Sequence, residues 1–151
     1  MDGFEKFYNR ALKFLSYRPR SKQEVIKNLL RKKAPEDIIK KITAKLEEQK
    51  FLNDEEFVKW WIEQRTTFKP RSLRLIKIEL KQKGISNELV EKVINDLGFT
   101  VDDLVSAKKL IERKKEKWKN LSREQKFQKL SRFLASRGFS YDIIKEIFKN
   151  I

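Results

Sequence analysis

Apolar residues recur at three- and four-residue spacings along almost the whole chain, and very little of it alternates as a strand does. The pattern predicts helices over 4–16, 22–32, 35–49, 54–68, 72–83, 87–97, 101–118, 123–137 and 141–150. The punctuation agrees with it. Pro19, Pro35 and Pro70 fall at expected boundaries, and Pro35 suits a first helical turn, where a missing N–H costs nothing. Gly84, Gly98 and Gly138 fall where a helix end wants a left-handed residue. Ser21-Lys22-Gln23-Glu24 and Ser122-Arg123-Glu124-Gln125 have the form of capping boxes. Asn53 to Glu56 repeats that logic with Asn as cap, and Thr100 to Asp103 is a looser version. Ser86 and Ser140 are expected N-caps without the reciprocal acid.

Nine helices fall into three groups of three. Arg18-Pro19-Arg20-Ser21 returns 51 residues later as Lys69-Pro70-Arg71-Ser72, and Leu29 returns as Leu80. The next turn reads Lys33-Ala34-Pro35, then Lys83-Gly84-Ile85-Ser86, then Arg137-Gly138-Phe139-Ser140. A three-helix repeat near 50 residues is too small to be comfortably stable alone, so each buries its leftover apolar face on a neighbour. The expected architecture is all-α: three tandem three-helix units at 1–52, 53–99 and 100–151, forming an elongated, curved array.

Composition narrows the function. The chain has 151 residues, 37 Lys+Arg against 22 Asp+Glu, a formal net charge of +15, and no His or Cys. Disulfides, zinc fingers and His-assisted nucleophiles are therefore excluded. No apolar run approaches the roughly 18 residues that cross a bilayer, and the first ten residues carry no apolar signal core. A cytoplasmic protein with no membrane partner is expected. A Lys/Glu-rich surface also suits a hot habitat, but heat does not explain an excess of one sign. The excess points to a polyanion and disfavours self-association, so a monomer is expected.

The basic residues are the first candidates for contact. In helix 101–118, Leu104, Ile111 and Trp118 share one face while Lys109, Arg113 and Lys117 follow the opposite one. The run Arg113-Lys114-Lys115-Glu116-Lys117-Trp118-Lys119 is the densest positive cluster; a solvated face with Glu112 and Glu116 as local partners is the competing reading. Arg18, Arg20, Lys69, Arg71 and Arg74 sit in or beside the two repeated turns, before helix N-termini that already favour anions. Guanidinium forks there suit a phosphate or carboxylate clamp, unless the prolines set the turn and the arginines are bystanders. With Arg65 and Arg137, these turn residues and Lys109, Arg113, Lys114, Lys117 and Lys119 form the expected nucleic-acid contacts.

Other candidates are weaker. Phe57, Trp61 and Phe68 fit one core-facing stripe, and Trp60 lies off it as the more exposed ring. Asp54-Glu55-Glu56 and Asp102-Asp103 fall in first helical turns, where the dipole explains acids without metal. No general base, nucleophile or glycine-rich phosphate loop accompanies them, so no catalytic residue, metal or cofactor is expected.

The ordered set closely resembles one family. Ala11-Leu12, Leu15, Arg18-Pro19-Arg20-Ser21, Glu24-Val25 and Leu29 are followed by Ile38, Ile42, Leu46, Phe51-Leu52-Asn53-Asp54 and Phe57-Val58. The second repeat continues with Arg65, Pro70-Arg71-Ser72, Ile76, Glu79-Leu80 and Lys83-Gly84-Ile85. This resembles the RecX regulatory family over nearly the whole chain, most densely over 11–97. The resemblance implies a non-enzymatic modulator built from tandem three-helix repeats. Such a protein binds the groove of the RecA recombinase filament on single-stranded DNA and restrains its ATPase, strand exchange and coprotease activities. Homologous recombination, DNA repair and the SOS response are the implied setting. A stand-alone nucleic-acid binder with helix-turn-helix-like units, and a purely structural helical adaptor, are the alternatives that the residues alone leave open.

Overall fold

The computed structural model of the protein describes residues 3–97 and 101–151, and these fold as helices joined by short turns, with no strand among the described residues. Helices α1 (Phe4–Tyr17), α2 (Lys22–Arg31) and α3 (Glu36–Glu48) form the first group. Helix α4 (Asp54–Glu63) runs on into a π-helical segment, Gln64–Phe68, before α5 (Leu73–Gln82) and α6 (Asn87–Asp96). The last group holds α7 (Asp103–Glu112), the one-turn α8 (Lys115–Trp118), α9 (Arg123–Ser136) and α10 (Tyr141–Lys149).

The caps are the expected ones. Ser21 and Ser122 each complete a capping box, with Glu24 and Gln125 as the reciprocal partners. The Asn53 side chain accepts from the Glu56 amide, Ser86 from Leu89 and Ser140 from Ile143. Before α7 the cap is Asp102, which accepts from Leu104 and Val105; Gly98 and Thr100 lie outside the described residues. Gly84 and Gly138 adopt φ of 82° and 87° at the ends of α5 and α9, and Lys33 takes the same left-handed turn with φ 64°.

Three expectations are corrected. The stretch 101–118 is not one helix: it breaks at Arg113-Lys114, so Lys109 and Lys117 do not lie on one continuous face. Phe68 is not core. Helix α4 buries Phe57, Val58, Trp61 and Ile62, but the π turn that follows widens the helix and rotates Phe68 off the stripe, leaving it 63% exposed. Trp60, expected to be exposed, is half-buried against the Phe57 and Trp61 rings.

The chain divides into two compact units: the chain as far as Trp61 together with Leu80–Asn95, and Ile62–Glu79 together with the chain from Asp96 onward. The division crosses α4 after Trp61 and α5 after Glu79, within the second three-helix group. In the first unit, α1, α2 and α3 pack on one another around Ala11, Val25, Leu29, Ile38, Ile42 and Leu46. In the second, α10 packs on α7 and α9 around Ala107, Leu110, Leu130, Leu134, Ile144 and Ile147. Leu104, Ile111 and Trp118, read from sequence as one face, lie together against that core.

Candidate functional site

In each unit the same kind of seat joins one three-helix group to the next. Buried Ser21, the N-cap of α2, donates its hydroxyl to the Lys83 carbonyl at 2.8 Å, while the Lys22 amide donates to Asp54 Oδ1 at 2.8 Å. In the other unit the buried Ser72 amide donates to the Arg137 carbonyl at 3.1 Å, and the Leu73 amide donates to Asp103 Oδ1 at 2.9 Å. Orphan amides at a helix N-terminus are thus satisfied by the following group's turn and acid. Glycine is required in these turns. A Cβ on Gly84 would lie 2.7 Å from the Gln23 Cβ, and one on Gly138 would collide with the Ser72 Oγ and the Leu75 Cβ. Asp54 and Asp103 are therefore junction caps. Burial raises the Asp54 pKa above its ordinary value, with the Lys22 amide pulling the other way. Among the described residues, no group of three or more acids could hold a metal ion.

Arg18 and Arg71, one in each repeated turn, already have anions. Arg18 forks onto Glu24 with contacts of 2.5 and 3.3 Å, and Lys83 approaches the same carboxylate at 3.4 Å. Burial works against the charge on Glu24, yet the Arg18 and Ser21 hydrogen bonds, with Lys83 beside them, hold its pKa below the usual carboxylate value. The Arg18 guanidinium also lies 5.8 Å from both the Trp60 and Trp61 rings. Arg20 donates to the Phe14 carbonyl and stacks 3.9 Å over its ring; burial first, then neighbouring Arg18, lowers its pKa. In the second turn Glu79 takes both Arg65, at 3.4 Å, and Arg71. These forks are filled from within by an acid on the helix that follows each turn, Glu24 on α2 and Glu79 on α5. Lys69 and Arg74 are exposed.

Arg113 is likewise occupied. At the break after α7 its guanidinium donates to the Phe68 carbonyl at 3.0 Å and to the Thr67 carbonyl at 3.2 Å, capping the π segment. Lys109 is exposed, and Lys119 pairs with Glu116 at 2.5 Å. The remaining expected residues come together around one feature. Between α8 and α9 runs an open groove of about 570 Å³. Lys114 and Lys117 stand on one side, and Lys129 and Arg132 on the other. Trp118 and Phe133 form its floor, edge to face at 6.1 Å. Lys114 lies 5.1 Å from the Phe133 ring centre and Arg137 lies 4.9 Å from it. Sequence reasoning missed Lys129 and Arg132. Their signal was legible: Gln125, Gln128, Lys129, Arg132 and Ser136 repeat at helical spacing along one polar face of α9.

Comparison with known proteins decides the family. Models for the first, second and third three-helix domains of RecX match residues 8–46, 53–94 and 102–148. The chain belongs to the RecX family. Among its relatives, the regulatory protein RecX of Streptococcus uberis is 33% identical over 143 residues, covering 95% of this chain and 54% of that protein. That of Bacillus subtilis is 31% identical over 150 residues, covering 99% and 56%. The chain thus spans about half the length of the curated relatives it matches. The crystal structure of RecX from Lactobacillus salivarius superposes with a TM-score of 0.73 at 28% identity, covering 99% of this chain and 96% of the other. A second crystal structure, of regulatory protein RecX, gives 0.74 at 25% identity, covering 98% and 73%. RecX family membership and three three-helix domains, with no strand among the described residues, bear out the resemblance and the all-α repeat architecture expected from the sequence.

Proposed function

We propose that this chain acts by binding the RecA filament on single-stranded DNA and restraining its ATPase, strand exchange and coprotease activities, in the cytoplasm and as a monomer. The observation that carries this reading is the match of all three three-helix groups to RecX domains in a chain of net charge +15. Regulation by binding needs no reacting group. Among the described residues no helix is long and apolar enough to cross a membrane. The basic residues left on the surface, Lys69, Arg74, Lys109 and those of the third-group groove, would supply affinity for phosphates, and the affinity would fall with salt as counterions are released. Recombination, DNA repair and the SOS response are where such a restraint operates.

The test is to titrate the protein into a RecA filament assembled on single-stranded DNA and follow ATP hydrolysis, with binding to the bare DNA measured at the same salt. Loss of hydrolysis well below the concentration that coats bare DNA supports recognition of the filament. Loss only at saturation of the bare DNA means competition for phosphates, and the reading fails.

A further inference from the structure

We infer that the groove between α8 and α9 is a binding site for single-stranded nucleic acid, with Lys129 and Arg132 as phosphate contacts and Trp118 as the stacking surface. This deepens the reading above by assigning a DNA contact to one set of residues. Three observations carry it. The first is charge: Lys114, Lys117, Lys129 and Arg132 face one hollow, and no carboxylate lines it among the described residues. Elsewhere the basic turns are neutralised from within, as Arg18 and Lys83 are by Glu24, and Arg65 and Arg71 by Glu79. The groove's cations have no such acid, so a polyanion is the complementary occupant.

The second is the floor. Trp118 is only half-buried although it packs edge-on against Phe133, so part of the indole faces the hollow. An accessible ring between cations is how proteins hold unpaired bases, each stacked base contributing about 1–3 kcal/mol by alanine substitution. A duplex keeps its base faces stacked inside and has nothing to offer this ring. The third is the polar inventory: Gln128 lines the same hollow and its side-chain amide carries both a donor and an acceptor for a sugar–phosphate strand. The volume of about 570 Å³ lies within the range of small-ligand clefts, and the groove is open rather than enclosed, which suits a short length of polymer.

The experiment measures fluorescence anisotropy of a labelled oligothymidylate against the intact chain over a series of salt concentrations. Lys129→Glu/Arg132→Glu is compared with Lys32→Glu/Lys41→Glu, which makes the same change in net charge at exposed positions of the first group. Circular dichroism checks that both fold. The groove pair is expected to weaken binding by about tenfold or more and to lower the log–log salt slope by roughly 1.4, the loss of two phosphate contacts. The control pair is expected to change both far less. Trp118→Leu is expected to weaken binding with the salt slope unchanged, since stacking releases no counterions. Equal losses in the groove and control pairs would mean that net charge alone drives binding and would overturn the assignment. So would unchanged binding in the groove pair, or a duplex competing as well as the single strand. Hydrolysis by the recombinase filament is read in parallel. Groove-dependent oligonucleotide binding without restraint of hydrolysis sinks the filament reading and leaves the groove standing. Restraint by the wild type, with oligonucleotide binding indifferent to the groove, sinks the groove alone.

Discussion

The Ser21 hydroxyl lies 2.8 Å from the Lys83 carbonyl, so the cap of one second helix is hydrogen-bonded to the terminal turn of the next group's second helix. The same oxygen accepts from the Glu24 amide. One buried side chain therefore serves both a local cap and a contact 62 residues away.

Replacing Ser21 should cost more than replacing a cap that works only locally. Ser122 completes its capping box while exposed to solvent. We expect Ser122→Ala to lose about 1 kcal/mol, and Ser21→Ala about 2–3 kcal/mol because the Lys83 carbonyl is left without its donor. Urea unfolding midpoints compare the two; equal losses would show that the long-range bond adds nothing.

The left-handed turns give a second contrast. Gly138→Ala forces a Cβ onto Ser72 and Leu75 in a backbone already at φ 87°, and should destabilise by more than about 2 kcal/mol. Lys33→Gly relieves the same conformation at φ 64° where the side chain is exposed, and should stabilise by up to about 1 kcal/mol. Melting temperatures of the two variants should move in opposite directions.

Acid should weaken the Glu24 cluster. The folded pKa of Glu24 is depressed, so its stabilisation is present above the unfolded value, about 4.3, and is lost as pH falls through the folded value. Glu24→Gln should therefore be less stable than wild type at neutral pH, with the gap closing in acid. A gap independent of pH would mean that packing, not charge, accounts for the loss.

Asp54 has the opposite sign. Its folded pKa is raised by burial, so it favours the fold at low pH and that contribution fades as pH rises through the folded value. Asp54→Asn keeps an acceptor for the Lys22 amide without the buried charge and should be neutral or slightly stabilising at pH 7. Asp54→Ala orphans that amide and should cost about 1–2 kcal/mol. Thermal melts of the pair at neutral pH separate hydrogen bond from charge.

Much of this was legible in the sequence because it is local. Capping boxes at Ser21 and Ser122 and left-handed glycines at 84 and 138 are decided within a few residues, and they stand where the pattern put them. What the pattern could not reach depends on how distant turns meet. Asp54 looks like an ordinary first-turn acid until the Lys22 amide is placed against it, and Asp103 likewise with Leu73. Arg18 and Arg71 looked ready for an external anion because their partners, Glu24 and Glu79, each read as belonging to another role or to none. The π turn has no strong sequence signature, so the exposure of Phe68 and the attachment of Arg113 to its carbonyls went unseen.

The carboxylates of Glu24 and Glu79 separate two kinds of positive charge. Arg18, Lys83, Arg65 and Arg71 are spent inside the fold, whereas Lys69, Arg74 and Lys109 are exposed and lie outside both these inner pairs and the groove between α8 and α9. The first kind is constrained by geometry and tolerates little exchange between Arg and Lys. The second is constrained only by field strength, so its members can drift in position and identity while the fold stays fixed. Across a set of such chains, the inner cations should stay in register with their acids, while the outer ones should preserve their sum rather than their places.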